Sequence, residues 1–323
     1  MKIKLLLVAF AVMATTCRAE AQGYPDKTVH IITGTQTGTS GDLAGRLLAQ
    51  KLQTQIGQTV VFENRPGANG QIAANYVKTL PPDGTSILYV ASSTVITGPL
   101  MSKSVGFDTF KDFTPVSLAV GAPLYLVANS ALGVNTTQEL IAYAKAHKGQ
   151  LNYGSVGRGS VFHFQGEALN AAAGIDMLHV PYTGANNANI IGDLLANRVQ
   201  VYFPAYPATL AALPSGKIKL LGVFYDERVK QRPDLLTVKE AVPGLITVPS
   251  WFGFMGPAGL PAPIVERLEK EVRVALQDKD IVEKLEQVGI VPIGSTAADM
   301  ERLMHRYYDE LSRLAKQVGI EPN

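Results

Sequence analysis

The chain repeats one plan twice, and that repetition limits the possible folds more than any other feature. Val29-His30-Ile31-Ile32 is a short, largely β-branched run of the kind that forms a buried strand. A loop rich in glycine and hydroxyl groups follows, Thr33-Gly34-Thr35-Gln36-Thr37-Gly38-Thr39-Ser40-Gly41. Leu43, Leu47, Leu48 and Leu52 then recur on one face of a helix. Ser40 is the expected N-cap, and Asp42 in the first turn suits the helix dipole. The plan returns with the strand Leu151-Asn152-Tyr153 and the loop Gly154-Ser155-Val156-Gly157-Arg158-Gly159-Ser160. A helix follows, with Ser160 as its N-cap and Phe162, Gly166, Leu169 and Ala173 on one face. Loops of this kind aim backbone N–H groups at one point beside a positive helix end. An anion can bind there without a cationic side chain.

Strand and helix signals alternate through the rest of the chain. Strands at 58–63 and 85–90, with a helix over 71–79 between them, complete a β-α-β-α-β unit, which is a parallel α/β lobe. Ligands of such lobes sit beyond the carboxyl ends of the strands. That places Thr35, Gln36, Thr37, Gly38, Thr39, Ser40 and Asp42 on one rim with Ser92 and Ser93. Strands near 115–120 and 124–128 lead into a second α/β lobe that runs to residue 224. A strand over 249–257 is followed by three helices, 263–276, 280–287 and 295–317. These helices bring no strands of their own and are expected to pack on the first lobe. The expected division is 22–123 with 251–323 in lobe one and 124–250 in lobe two.

Residues 1–21 are expected to be a secretory leader. Lys2 and Lys4 precede an apolar run over 5–13, and Ala19-Glu20-Ala21 has the small-x-small form of a cleavage site. The only cysteine is Cys17, which is either removed with the leader or lipidated. Its loss leaves no disulfide or thiolate metal site. Cleavage also removes Lys2, Lys4, Arg18 and Glu20, so the formal net charge of +2 becomes zero. A neutral chain with no basic run is a poor nucleic-acid binder. Hydrophobic residues at 46% suffice for a large core, and no later stretch is long and apolar enough to span a bilayer, so a soluble exported protein is expected.

Enzyme and nucleotide readings find no support in the residues. The chain has no G-x-S-x-G elbow and no H-E-x-x-H, and its five histidines form no metal-binding i, i+4 pair. Glu63 stands where a ribose-binding acid would follow a dinucleotide loop. The glycines, however, run G-x-x-x-G-x-x-G and no G-K-[ST] follows. Cofactor and metal are therefore both expected to be absent.

Several motifs together resemble one family. They are Glu63-Asn64-Arg65-Pro66-Gly67-Ala68-Asn69-Gly70, Pro82-Asp83-Gly84, Phe107-Asp108 with Lys111-Asp112-Phe113-Thr114-Pro115-Val116, His179-Val180-Pro181-Tyr182, and Pro257-Ala258-Gly259-Leu260-Pro261. In this order, behind a leader, the chain is similar to the substrate-binding proteins of tripartite tricarboxylate transporters, the Bug family. The resemblance implies a two-lobed periplasmic binding protein of type II-like form, with a ligand cleft between two α/β domains. It implies a monomer that takes a small carboxylate and passes it to membrane permease subunits. Some relatives serve sensors instead, and no residue here separates the two roles.

Opposed helix starts in the two lobes would clamp a diacid, which adds Ser155, Gly159 and Ser160 to the expected ligand residues. Tyr182 either walls the cleft or packs, and Arg158 is either solvated or paired with ligand. Phe162 and Phe203 are assigned to the core. Two departures from the family pattern stand out. The first loop lacks the family's prolines, although Gly38, Asp42 and Arg46 fit. Pro204 stands where the family commonly has an aspartate that can pair with an amino group. Aspartate and glutamate should therefore bind more weakly than dicarboxylates without an amino group. Calorimetry in which an amino acid binds most tightly would overturn this reading of Pro204.

Overall fold

The computed structural model describes residues 23–158, 160–182 and 187–322. The expected leader, with Cys17, and the expected ligand residue Gly159 lie outside the described residues. The first sheet is built from β1 (Val29–Thr33), α1 (Ser40–Ile56), β2 (Val60–Asn64), α2 (Gln71–Val77), β3 (Ser86–Ala91), α3 (Gly98–Met101) and β4 (Phe113–Gly121). The second holds β5 (Leu124–Asn129), α4 (Thr137–Ala146), β6 (Asn152–Ser155), α5 (Val161–Ala173), β7 (Leu178–Pro181), α6 (Asn187–Leu195), β8 (Val201–Tyr202), α7 (Tyr206–Ala212), β9 (Ile218–Phe224) and α8 (Val238–Ala241). The chain then returns through β10 (Trp251–Pro257), α9 (Ala262–Ala275), α10 (Lys279–Gln287), β11 (Val291–Pro292) and α11 (Ala297–Gln317).

The strand orders are β11-β4-β10-β3-β1-β2 and β7-β6-β8-β5-β9. β1 runs parallel to β2 and β3, while β10 lies antiparallel between β3 and β4. The C-terminal helices pack on the first sheet: Met300, Met304, Leu311 and Leu314 of α11, and Val265, Leu268 and Val272 of α9, are buried. The short β11, paired with β4, was not evident in the sequence, because two residues ending in proline carry no periodic signal. Among the described residues no helix is long and apolar enough to cross a membrane.

The chain passes between the sheets at residues 122–123 and again over 225–250, and the two passages are bonded together. The Ala122 amide donates to the Ser250 carbonyl at 2.8 Å. The Ser92 hydroxyl donates to the Pro249 carbonyl at 2.8 Å and accepts the Trp251 amide at 3.3 Å. The end of β3 is thus tied to the return passage.

Helix α1 is held down by only part of the leucine face that its periodicity suggests. Leu43 is exposed, and the buried face carries Gly41, Ala44, Gly45, Leu48, Ala49 and Leu52. The reason is a cluster of rings beneath it. Tyr89 is fully buried and meets Phe252, Phe254 and Phe62 at ring-centroid separations of 5.5, 5.1 and 5.9 Å. A Cβ on Gly41 would lie 2.3 Å from the Phe252 ring, and one on Gly45 would lie 2.4 Å from Phe62 and 2.8 Å from Tyr89. Only glycines at this i, i+4 pair let the helix backbone rest on the rings. Gly45→Ala should therefore cost about 1–3 kcal/mol through overpacking. Urea unfolding at neutral pH checks this, and an unchanged midpoint would mean the rings have room to move aside.

Candidate functional site

The loop after β1 is shaped by its own hydrogen bonds. Thr33 Oγ1 accepts the Thr35 amide at 3.2 Å. A Cβ on Gly34 would stand 2.3 Å from the Cα of Gly70, so two backbones touch there and neither could carry a larger residue. The helix cap falls on Thr39 rather than on the expected Ser40. Thr39 is the residue left in extended conformation, and its Oγ1 accepts the Asp42 amide. The same hydroxyl donates to the Gln36 carbonyl at 2.8 Å.

Asp42 is buried, and its carboxylate is fully engaged within the protein. It accepts from the Gly38 amide at 3.0 Å, from Asn64 Nδ2 at 2.7 Å and from Arg46 Nε at 3.2 Å. Burial acts to raise its pKa, but the Gly38, Asn64 and Arg46 contacts outweigh that and hold the group below its ordinary value. Asn64 Nδ2 also bonds the Thr35 carbonyl at 3.0 Å. Expected at the ligand, Asp42 instead ties both ends of the loop to β2. Ser40 and Gly41, at the first turn of α1, have no preceding turn for their amides to bond to, but neither residue lines the neighbouring cavity.

A second wall comes from the turn before α2. Ala68 and Asn69 have φ of 46° and 52°, a left-handed conformation that costs alanine about 1–2 kcal/mol. The turn is held to the end of β3 by three bonds. Asn69 Nδ2 donates to the Ser93 carbonyl, Ser93 Oγ to Asn69 Oδ1, and Thr94 Oγ1 to the Asn69 carbonyl. Ser93 opens a π-helical turn, Ser93–Thr97, a distortion frequent at functional sites.

These segments enclose an open cavity of 370 Å³. Thr35, Gln36, Thr39, Asn69, Ser93 and Thr94 line it, with Val90, Ala91 and Phe252 as apolar wall. No charged side chain is among the lining residues. Of the expected residues it gathers Thr35, Gln36, Thr39 and Ser93, while Thr37, Gly38 and Ser40 belong to the same loop outside the lining. Ser92 is buried, with its hydroxyl committed to the passage between sheets. Phe252 was missed by sequence reasoning, because an aromatic residue at the start of a strand reads like any other core residue.

The second loop is built likewise but stands apart from this cavity. Ser160 caps α5 as expected, accepting the His163 amide at 3.3 Å and donating to the Gly157 carbonyl at 2.8 Å. Ser155 is buried, with Oγ 3.0 Å from the Gly157 carbonyl and 2.6 Å from His179 Nε2. Tyr182 OH donates to Asp193 at 2.5 Å, and the buried Pro204 gives its carbonyl to the Tyr125 amide. Phe203 is fully buried, as assigned. None of these second-sheet residues lines the 370 Å³ cavity. Arg158 is exposed and lines a separate space with His163, His179 and Glu167.

Two sheets joined by two bonded passages, each sheet presenting a glycine-and-hydroxyl loop at a helix start, define a two-lobed binding receptor. The family model described as "Tripartite tricarboxylate transporter family receptor" matches residues 44–320, and the chain belongs to that family. It is a family of receptors and not of enzymes. The chain is similar to the R. palustris protein Rpa4515, solved with adipate, at 32% identity and a TM-score of 0.80, covering 93% of this chain and 100% of that one. It is also similar to the periplasmic binding protein BugD at 30% identity and a TM-score of 0.76, covering 93% and 100%. A third likeness is to MatC from Rhodopseudomonas palustris, solved with bound malate, at 27% identity and a TM-score of 0.74, covering 90% and 99%.

His163 and His179 stack at 4.1 Å beside Arg158, Tyr153, Ser155 and Glu167. Burial first, then the positive charges around them, pushes both imidazoles down to about 4 from 6.5. Between these values the unfolded chain binds more protons, so their contribution to stability is complete above pH 6.5 and falls as pH drops toward 4. Urea unfolding at pH 7, 5.5 and 4.5 should show this decline, and it should be shallower in a His163→Asn, His179→Asn double variant. Equal slopes in the two proteins would refute it.

Proposed function

We propose that this protein is an extracytoplasmic receptor that captures a small carboxylate between its lobes and delivers it to a tripartite tricarboxylate-type membrane transporter. The observation that carries the reading is the uncharged cavity at the start of α1, in a chain of this receptor family. A carboxylate suits an uncharged polar cavity beside the positive dipole end of a helix whose cap residue, Thr39, lines it. The adipate and malate bound to the two solved relatives support the same ligand class.

In this reading the first loop, Thr35, Gln36, Thr37, Gly38, Thr39 and Ser40, with Ser93, grips one carboxylate. The second lobe, 124–250, closes over it from the other side with the start of α5, Gly159 and Ser160. Asp42, Ser92 and Ser155 act on the ligand only by shaping these loops, while Tyr182 and Pro204 form the wall of the second lobe. Residues 1–21 direct export and are removed, and the mature protein acts as a monomer.

A thermal-shift screen of the mature protein tests the class of ligand. A carboxylate at 100 times its Kd should add about 2.7 kcal/mol of stability, a shift of several degrees. Adipate, malate, succinate, citrate and aromatic acids form the panel, with their amides as controls. Amides that stabilise as strongly as the acids would overturn the carboxylate reading.

A further inference from the structure

We infer that the corner between α10 and β11 is a mechanical stop between the lobes: Tyr206 of the second lobe rests on Gly289 of the first, and this contact fixes the angle at which the lobes stand. The inference does not depend on what the cavity binds.

Each partner is rooted in its own lobe. Ile281 and Leu285 of α10, and Ile290 just before β11, are buried in the same apolar cluster as Val29, Leu52 and Val116 of the first lobe. β11 itself pairs with β4. Gly289 sits between these anchors with φ of 72°, a left-handed conformation that glycine adopts without steric cost. Tyr206 opens α7, and its ring lies 5.2 Å from that of the fully buried Tyr125 on β5. A Cβ on Gly289 would stand 2.2 Å from Tyr206 Cβ and 2.9 Å from its Cγ. The backbone of one lobe thus meets the base of a side chain from the other. No rotamer change can withdraw a Cβ.

A second tyrosine repeats the arrangement at the passage itself, where a Cβ on Gly121 would lie 2.4 Å from the Tyr225 hydroxyl oxygen. Val291 of β11 packs, with Tyr206 and Tyr225, on the apolar cluster of the second lobe that holds Tyr125 and Val229. Gln231 Nε2 donates to the Glu286 carbonyl at 3.3 Å, and Lys230 Nζ lies 3.3 Å from Glu286 Oε1. The lysine is exposed, so this ion pair adds little, and the packing at Gly289 carries the contact. Two passages alone leave the lobes free to turn about the line through them. The Tyr206–Gly289 contact lies off that line. In the first sheet β11 stands on one side of β4 and β10, from which the passages spring, and β3 and β1 on the other. Turning one way presses together atoms that already touch, which close packing forbids. Turning the other way parts them and exposes Val291 and the tyrosine to water.

Spin labels on the intact mature protein, without added ligand, test the stop by pulsed electron paramagnetic resonance. Thr54→Cys in α1 with Lys145→Cys in α4, both exposed, reports the distance between lobes. Lys145→Cys with the exposed Lys217→Cys reports a distance within the second lobe. With Tyr206 in place the interlobe distances should form one narrow distribution. Tyr206→Ala should shift its centre by at least about 2 Å or about double its width, and Gly289→Ala, which adds the obstructing atom, should shift it as well. Tyr206→Phe keeps the touching atoms and should match the native protein. The distance within the second lobe should stay the same throughout. A broad native distribution, or one that neither Tyr206→Ala nor Gly289→Ala alters, would overturn the inference. So would a Tyr206→Phe protein that behaves like Tyr206→Ala. A distance within the second lobe that changes as much as the interlobe one would also overturn it, because Tyr206 would then shape only its own lobe.

Discussion

The contact between the α1 backbone and the Tyr89 ring cluster sets the position of everything above it. A helix resting on side chains can adjust its height by changing rotamers. One resting through Gly41 and Gly45 on packed rings cannot, because any added atom would already overlap a ring. The first turn of α1 is therefore fixed relative to the ends of β1 and β3. The loop from 34 to 39 has to close the remaining gap, and Asp42 supplies the internal carboxylate that ties it. The result is a loop whose shape is set by contacts within the protein itself.

The same cluster leads to the passage between the sheets. Phe252 is one residue beyond Trp251, whose amide bonds Ser92, and Ser93 lines the cavity. Cavity and interlobe passage thus share two adjacent pairs, Ser92 with Ser93 and Trp251 with Phe252. In the proposed receptor, a ligand seated on Phe252 and near Ser93 would lie next to the segments that join the two sheets.

Much of the fold was legible in the sequence because its signals are periodic and local. The strand-loop-helix plan at 29–48 and again at 151–173 survives in the structure, as do the order of strands and the packing of the C-terminal helices on the first sheet. What failed did so where tertiary contact overrode periodicity. Leu43 matched the leucine face yet lies exposed, because the rings below α1 admit only small residues. Ser40 and Thr39 are equally good caps by composition, and backbone conformation chose the threonine. Ser92 and Ser93 read alike on paper, but one faces the return passage and the other the cavity. Phe252 could be recognised only once β10 was seen beside β3, a pairing separated by about 160 residues of chain.

The charge distribution follows one rule. Two charged clusters near the loops are paired with the protein itself, Asp42 with Arg46 and Tyr182 with an Asp193 that also holds Arg198, while Arg158 in the second loop is exposed. The cavity beside the first loop is lined without charge. A receptor must release what it binds, and a buried ion pair between ligand and side chain would be costly both to form and to break. Amide donors at a helix start hold an anion with partial charges only, and they lose nothing comparable when it leaves.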